Sequence, residues 1–481
     1  SKDLNGEQLI LDADADTTIT ADTDDQIDIR ISGADDFKFT ANTLTALSGS
    51  TIATNTIAET TGASGVTIDG LLIKDSTAAF ADGAVATPSI TNTGDLNSGV
   101  YFPAADTVGI TAGGTEQFRF GSNPIPGGNK NLLINGAMSV SQRGTSFTSF
   151  GASDSEYGVD RWKIRSISSA SARWTASQES SGGDSGKDKW LKILCTTADG
   201  SPGTNETQWI TQTIEGFNST AVVADDASTK SMSVSLDIIA HADGAGSISF
   251  PAKVAVFLDM SAGASREYVH DVTIAAADTW ERVTFSAPAD SFNTWTTDNA
   301  ANLGIGISLY GGSGRVGAED TYRASGRDNI TSNTDNWADA TNNYIGFTNV
   351  QLEVGGVATD FAYEDIGTTL SKCQRYFNRA ASGNTNALPP CMQESTTNGY
   401  PTFQFPVQMR VKPSLDYSDL THFGVDPGAS QQNPSVMAIS YGSGSMAWLQ
   451  VTWGSATGAT NNSTRFYTLS ASATLDFSAE L

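Results

Sequence analysis

Only one stretch of this chain carries the period of a helix, and that scarcity narrows its fold more than any other feature. In Asn349 to Phe377, NVQLEVGGVATDFAYEDIGTTLSKCQRYF, Val350, Leu352 and Val354 alternate with Gln351 and Glu353 as in a half-buried strand. Ile366, Leu370, Cys373 and Phe377 then follow at spacings of four, three and four, so a strand gives way to a short helix. Elsewhere apolar residues recur with a period of two between turns rich in Gly, Ser, Thr and Asn. Charged residues are only 17% of the chain, too few for helices with salt-bridged faces. The expectation is an all-β protein.

A length of 481 residues exceeds one ordinary domain, and the pattern divides the chain into three blocks, 1–128, 129–366 and 367–481. The first holds 5 basic and 18 acidic residues and contains an internal repeat. DQIDIRISGADDFKFTAN and DTVGITAGGTEQFRFGSN match at a shift of 81 residues, pairing Ile27 with Val108, Ile29 with Ile110, Gly33 with Gly114, Phe37 with Phe118 and Phe39 with Phe120. Each copy alternates, turns at a glycine and alternates again, which describes a hairpin with one apolar face. A lone hairpin cannot bury that face, so Ile27, Ile29, Phe37 and Phe39 are expected to meet copies from other chains in an elongated β stalk. Short runs such as GVTIDGLLIKDS, residues 65–76, continue the stalk, and PIPGGNK, residues 124–130, reads as a linker.

Block 129–366 carries strand-like runs at the regular intervals of a two-sheet sandwich, for which a jelly-roll order is expected. Ser233, Ser235 and Asp237 alternate with Val234, Leu236 and Ile238, predicting one wet and one buried face. Block 367–481 reads as the short helix followed by a small β-domain, with strands at FQFPVQMRV (403–411), SVMAIS, MAWLQVTW and RFYTLSA.

A formal charge of -26 disfavours binding to nucleic acid or to an anionic membrane surface. Three cysteines without a C-x-x-C pair indicate neither a disulfide framework nor a zinc site. The stretch SKDLNGEQLILDADAD has no basic n-region and no apolar h-region, and no run of eighteen apolar residues occurs, so conventional secretion and membrane insertion are not expected. A polar, acidic β-protein nonetheless suits the outside of a cell. Release inside a virus particle reconciles the two.

No constellation points to catalysis. Asp12, Asp14 and Asp16 form a D-x-D-x-D series, but Thr17 and Thr23 stand where a calcium loop needs glycine and glutamate, so a solvated acidic strand edge is the reading. GSGRVG, with Gly312, Gly314 and Gly317, precedes a polar loop rather than a helix and is no dinucleotide fingerprint. His241, His270 and His422 are isolated from one another. No cofactor and no metal is expected. Aromatic side chains are the better ligand candidates, because their flat faces suit sugar rings. Trp162 and Trp280 lie in strand patterns and read as packing; Trp295 and Trp337 lie in polar segments and are expected to be exposed. Tyr400, Tyr441, Trp448 and Trp453 are the candidates in the last block, where MAWLQVTW alternates and one face is core.

NLLINGAMSVSQRGTSF, YGVDRW, TWERVTF and the stretch ending in CQRYF, with LDADADTTITADTDDQIDIRISG near the start, together resemble bacteriophage tail fibre and tail spike structural proteins, especially those of phages of aquatic bacteria. The resemblance implies a homotrimeric virion component assembled in the host cytoplasm, with a tail-attachment region at 1–128, a carbohydrate-binding-like sandwich and a tip that recognises a host surface glycan or outer-membrane protein. Under that reading Ile366, Leu370 and Phe377 face neighbouring chains at the fibre axis. The expected role is adhesion without enzymatic activity. The alternative is a tail spike that degrades host capsule or lipopolysaccharide through a carboxylate pair, which sequence cannot locate.

Overall fold

The computed structural model describes residues 7–21, 23–53, 79–120, 130–153, 155–168, 170–180, 187–225, 228–260, 266–291, 295–324, 328–383, 388–427, 430–454 and 463–481. GVTIDGLLIKDS and the linker up to residue 129 lie outside them. The chain divides into two compact units, one formed by Ser1–Ala105 and Gly109–Phe118, the other by Asp106–Val108 and Arg119–Leu481. The regular structure of the described residues is mostly antiparallel strand, and the all-β expectation holds.

In the first unit five strands, Leu9–Ile10, Thr18–Thr20, Ile27–Ile31, Ala34–Thr40 and Thr43–Ala46, pair in chain order. The repeated hairpin is present as read: Ile27 faces Phe39 and Ile29 faces Phe37 across the pair. Its turn, Ser32 and Gly33, has φ of 56° and 82°, the left-handed pair that a two-residue hairpin needs. The second copy, Thr107–Ala112 and Thr115–Phe120, turns through Gly113 and Gly114 at 59° and 75°. Cross-strand partners put Leu9, Ile19, Ile27, Ile29, Phe37, Phe39 and Leu44 on one face of the sheet. That apolar face is the open one, while Thr18, Thr20 and Asp28 on the other are buried.

The second unit holds the sandwich. One sheet runs Ser146–Phe150, Arg173–Ser180, Lys189–Thr197, Tyr344–Val354, Met232–His241, Glu281–Ala287. The facing sheet runs Ser155–Tyr157, Lys163–Ile167, Thr207–Glu215, Ala301–Gly311, Ala252–Met260, Arg266–Ile274, Arg323–Ala324. Three consecutive pairs, Ser155–Tyr157 with Lys163–Ile167, Arg173–Ser180 with Lys189–Thr197 and Ala252–Met260 with Arg266–Ile274, are hairpins within one sheet, and most other connections cross between the sheets. Trp162, Trp174, Ile210, Leu236, Val256, Ile305, Phe347 and Leu352 fill the space between, with Trp162 edge-on to Phe347 at 5.6 Å.

Two expectations about this unit are corrected. The outer face of Met232–His241 is not wet: Ser233, Ser235 and Asp237 are buried, as are Gln351 and Glu353 beside them. The chain that follows the sandwich folds back over them. Gln351 Oε1 accepts Ala362 N–H at 2.9 Å, Glu353 Oε1 accepts Thr359 N–H at 2.7 Å, and Arg282 donates to Ser235 Oγ at 2.7 Å. Alternation reports which residues share a face, and here the polar face found hydrogen-bond partners in place of water. The helix is shorter than its periodicity suggests, Ile366–Gln374, capped by Asp365, which accepts the Gly367 N–H at 2.9 Å. Phe377 opens the strand Phe377–Ser382 and is only 3% exposed, with the Arg143 guanidinium 3.5 Å above its ring. It is therefore enclosed in its own chain and unavailable to a neighbouring one. The helix buries Thr369 and Cys373 instead, and leaves Ile366 55% exposed and Leu370 half-buried.

The last block forms a three-stranded sheet, Phe377–Ser382, Thr474–Ser478, Ser414–Tyr417, and a six-stranded one, Phe423–Asp426, Ser463–Thr468, Cys391–Gln393, Asn398–Gln404, Met446–Thr452, Val436–Gly442. The strand expected at 403–411 begins earlier and ends at Gln404; Pro406, which has no N–H to donate, lies just beyond. Phe403, Phe423, Phe466, Phe477, Leu449 and Trp453 make its core.

An arginine-rich junction ties this block to the sandwich. Buried Arg161 pairs with Glu480, donates to Thr213 O at 2.6 Å and lies 3.6 Å over the Tyr376 ring. Arg143 reaches Glu480 at 3.1 Å, and Arg375 takes both oxygens of Glu215 at 2.7 and 3.2 Å. Cys195 in the sandwich, Cys373 on the helix and Cys391 in the terminal sheet are all free and buried.

Burial pushes the Glu267 carboxyl up to about 7, with Asp259 and Asp328 adding to the rise. The folded state thus holds that proton more tightly than the unfolded chain does. Its contribution is favourable below the ordinary value of 4.5 and is lost as pH rises towards 7. Glu267→Gln should accordingly raise stability at pH 8 by about 2 kcal/mol and change it little at pH 4, read as the shift in urea midpoint at each pH.

Candidate functional site

On the strand Met446–Thr452, Ala447, Leu449 and Val451 point into the core, which sends Trp448, Gln450 and Thr452 outward. Trp448 and Trp453 differ by an odd step and take opposite faces. Trp448 lies opposite Thr402 on one side and Tyr441 on the other. The Trp448 and Tyr441 rings sit 5.7 Å apart at 55°, and the residues are 45% and 58% exposed. Tyr400 is outward on the next strand opposite Met392, which is also exposed. The Tyr400 hydroxyl donates to Glu394 Oε2 at 3.0 Å, and that hydrogen bond raises its pKa. Asn398 Nδ2 donates to the same oxygen at 2.7 Å. The outer face of the six-stranded sheet thus carries an aromatic row, with a carboxylate and an amide fixed on each other at its Tyr400 end.

Three of the six candidate ligand residues, Tyr400, Tyr441 and Trp448, come together there. Trp453 is enclosed and donates Nε1–H to Thr396 O at 3.1 Å. Trp337, expected to be exposed, is fully buried and donates to Lys253 O at 3.0 Å. Neither ring offers a face to a ligand. The polar neighbours of Trp337 turn inward: Asn336 Nδ2 donates to Asp199 O at 2.9 Å, and Asp339 accepts from Ser247 Oγ and Asn343 Nδ2 at 2.7 and 2.8 Å. Trp295 is half-buried against the sandwich core.

A second aromatic group was not legible in sequence. Trp190 and Trp280 meet at right angles, 5.5 Å apart, Tyr344 lies 6.4 Å from Trp190, and His241 stacks on Tyr344 at 9°. Gly346 makes the room, since a Cβ there would lie 2.4 Å from the Trp190 ring. Asp278 accepts from His241 and from the Tyr344 hydroxyl at 2.9 and 2.7 Å, and against the upward push of burial these bonds lower its pKa. Trp280, Tyr344, His241 and Asp278 are 51 to 154 positions removed from Trp190 along the chain, and the strand order of one sheet joins them.

Among the described residues, two groups bring metal-capable atoms within 4.8 Å of one another: His270, Glu319 and Asp320, and Asp12, Asp14 and Asp16. In the first, His270 Nδ1 is 2.7 Å from Asp320 Oδ1, which also accepts from the Tyr268 hydroxyl. GSGRVG is a sandwich loop with one turn of 3-10 helix, as read. Glu267 accepts the Asp328 N–H and is buried, so its raised pKa reflects packing rather than an open catalytic acid.

No protein-family model and no curated protein matches the chain. Among solved structures, TmCBM61 in complex with beta-1,4-galactotriose is similar at 10% identity and a TM-score of 0.22, over 47% of this chain and 100% of that one. The CBM22-2 xylan-binding domain from Paenibacillus barcinonensis Xyn10C is similar at 9% identity and a TM-score of 0.23, over 44% and 99%. Discoidin II of Dictyostelium discoideum is similar at 12% identity and a TM-score of 0.14, over 62% and 86%. These are weak likenesses, and the functional reading below rests on the surface of the chain itself.

Proposed function

We propose that the chain is an adhesion protein that binds surface glycan through the aromatic row of Tyr441, Trp448 and Tyr400. The observation that carries the reading is the exposed Trp448–Tyr441 pair on the sheet, with Tyr400, Glu394 and Asn398 farther along the same face to read hydroxyls. In the finer form of the proposal the protein is a homotrimeric phage tail fibre in the virion, attached to other tail proteins through residues 1–128. The tail-fibre-like motifs support this form, as does the uncovered apolar face of the first sheet, which a second and third copy would bury. Multivalency makes such a device effective, since sites of millimolar to micromolar strength hold firmly when three act together.

Full-length protein incubated with host polysaccharide is expected to be retained on it and to release no new reducing ends; release of reducing ends would instead establish the degrading spike. Light scattering on the full chain should give three times the chain mass. Phe39→Asp combined with Ile27→Asp should return the mass to that of one chain while far-ultraviolet circular dichroism stays unchanged, and a wild-type chain that is monomeric would refute the trimer.

A further inference from the structure

A cleft of about 420 Å³ opens beside the helix, between the bend that covers the sandwich and the sandwich itself. Its volume falls within the roughly 300–1,000 Å³ usual for small-molecule sites. Phe361 and Tyr363 supply an aromatic corner, their rings 5.0 Å apart at 84°, and Tyr363 is 66% exposed. The segment that carries them is pinned. Thr359 and Ala362 donate their N–H groups to Glu353 and Gln351, and Lys130 Nζ donates to Asp360 O at 2.9 Å. The rings therefore stand ready without an ordering cost on binding.

The opposite wall is polar and equally fixed. Asn349 sits where the pairing of Met232–His241 with Tyr344–Val354 shifts register, at φ 50°, and its Nδ2 donates to Asp237 Oδ2 at 2.7 Å. Bulged positions of this kind re-aim a side chain, here along the cleft wall. The charge at the rim runs against that of the whole molecule. In a chain of net charge -26 the lining includes Lys130, Lys189 and Lys372 against Asp188 and Glu364. Lys372 is paired with Glu364, whereas Lys189 donates to a neutral partner, Ser180 Oγ, at 2.5 Å and keeps its charge for the opening.

From an aromatic corner, a polar wall and a locally cationic rim we infer that this cleft binds a carboxylated sugar unit. The ring faces Phe361 and Tyr363, and the carboxylate lies towards Lys189. The site is separate from the aromatic row, and its existence does not depend on adhesion through that row.

The test is calorimetric titration of the full-length protein with D-galacturonate, with D-galactose as its neutral counterpart, and with inorganic phosphate. Galacturonate should bind at least tenfold more tightly than either. Tyr363→Ala and Lys189→Glu should each weaken it about tenfold or more, and Trp448→Ala should leave it unchanged. Equal binding of galactose removes the role of the lysine, equal binding of phosphate reduces the cleft to an anion site, and no binding or no effect of either variant rejects the site; each overturns the inference. Both replaced side chains are solvent-facing, and a matching urea midpoint verifies their folding. Retention of the cleft variants on polysaccharide, lost only in Trp448→Ala, would leave the adhesion reading standing whatever the cleft does.

Discussion

Trp448→Ala is expected to abolish avid retention on receptor glycan in a protein that remains folded. The indole is nearly half exposed on the outer face of the sheet, tilted at 55° to the Tyr441 ring, so its removal leaves no core cavity. Central aromatic anchors typically cost about 2 kcal/mol or more when truncated, roughly 30-fold per site. In the proposed trimer, with three sites engaged, the losses multiply, and avid retention should fall by about 10⁴-fold. Trp453→Ala is the control. It lies five residues away on the opposite face and is enclosed, so its loss should cost about 3–5 kcal/mol of stability. Surface plasmon resonance on immobilised polysaccharide, beside a urea titration of both variants, separates them: Trp448→Ala loses binding with its midpoint kept, Trp453→Ala loses the midpoint first. Unchanged retention by Trp448→Ala would remove the row as the binding surface.

A loss of stability as large as that of Trp453→Ala is expected from Glu480→Ala. Glu480 is the shared partner of Arg161 and Arg143, and Arg161 is almost wholly buried. Removing the carboxylate leaves the Arg161 guanidinium without its counter-charge in a low-dielectric junction, while Arg143 keeps Asp160 at 3.9 Å, and a buried pair broken on one side costs about 3–5 kcal/mol. The urea midpoint should drop accordingly. Arg161→Met with Glu480→Leu should recover part of the loss, because apolar side chains of similar volume do not need a counter-charge. A double variant no better than Glu480→Ala alone would show that the hydrogen bond from Arg161 to Thr213 O, rather than the ion pair, holds the junction.

Local periodicity made much of this legible. The 81-residue repeat foretold two glycine turns of the same hand, and the alternation of MAWLQVTW foretold one core face, though both of its tryptophans read as ligand candidates and only Trp448 is outside. What stayed hidden depended on chain that returns from a distance. The polar face of Met232–His241 and the polar flanks of Trp337 both look solvated in sequence because Ser, Asp, Gln and Asn are at home in water. Folding gives most of those groups protein partners, Arg282 for Ser235 and Asn349 for Asp237 in one case, Asp199 and Ser247 in the other. The cleft draws on residues 130–139, 188–189, 349 and 361–372, and the Trp190 group spans two sheet neighbours and a hairpin; no window of sequence contains either. Phe377 fitted the helical spacing by coincidence, and it is the strand pairing of Phe377 with Ser478 that decides its place.

The placement of the cysteines gives the molecule a built-in record of how it comes apart. One thiol sits in the sandwich, one on the helix over the junction and one in the terminal sheet, each sealed, and burial pushes Cys195 up to about 11 and Cys391 to about 12. A reagent that attacks thiolates meets none of them until the surrounding layer opens. The sequence in which the three become labelled is then the sequence in which seals fail, a chronology of rupture written by the native chain with no probe attached.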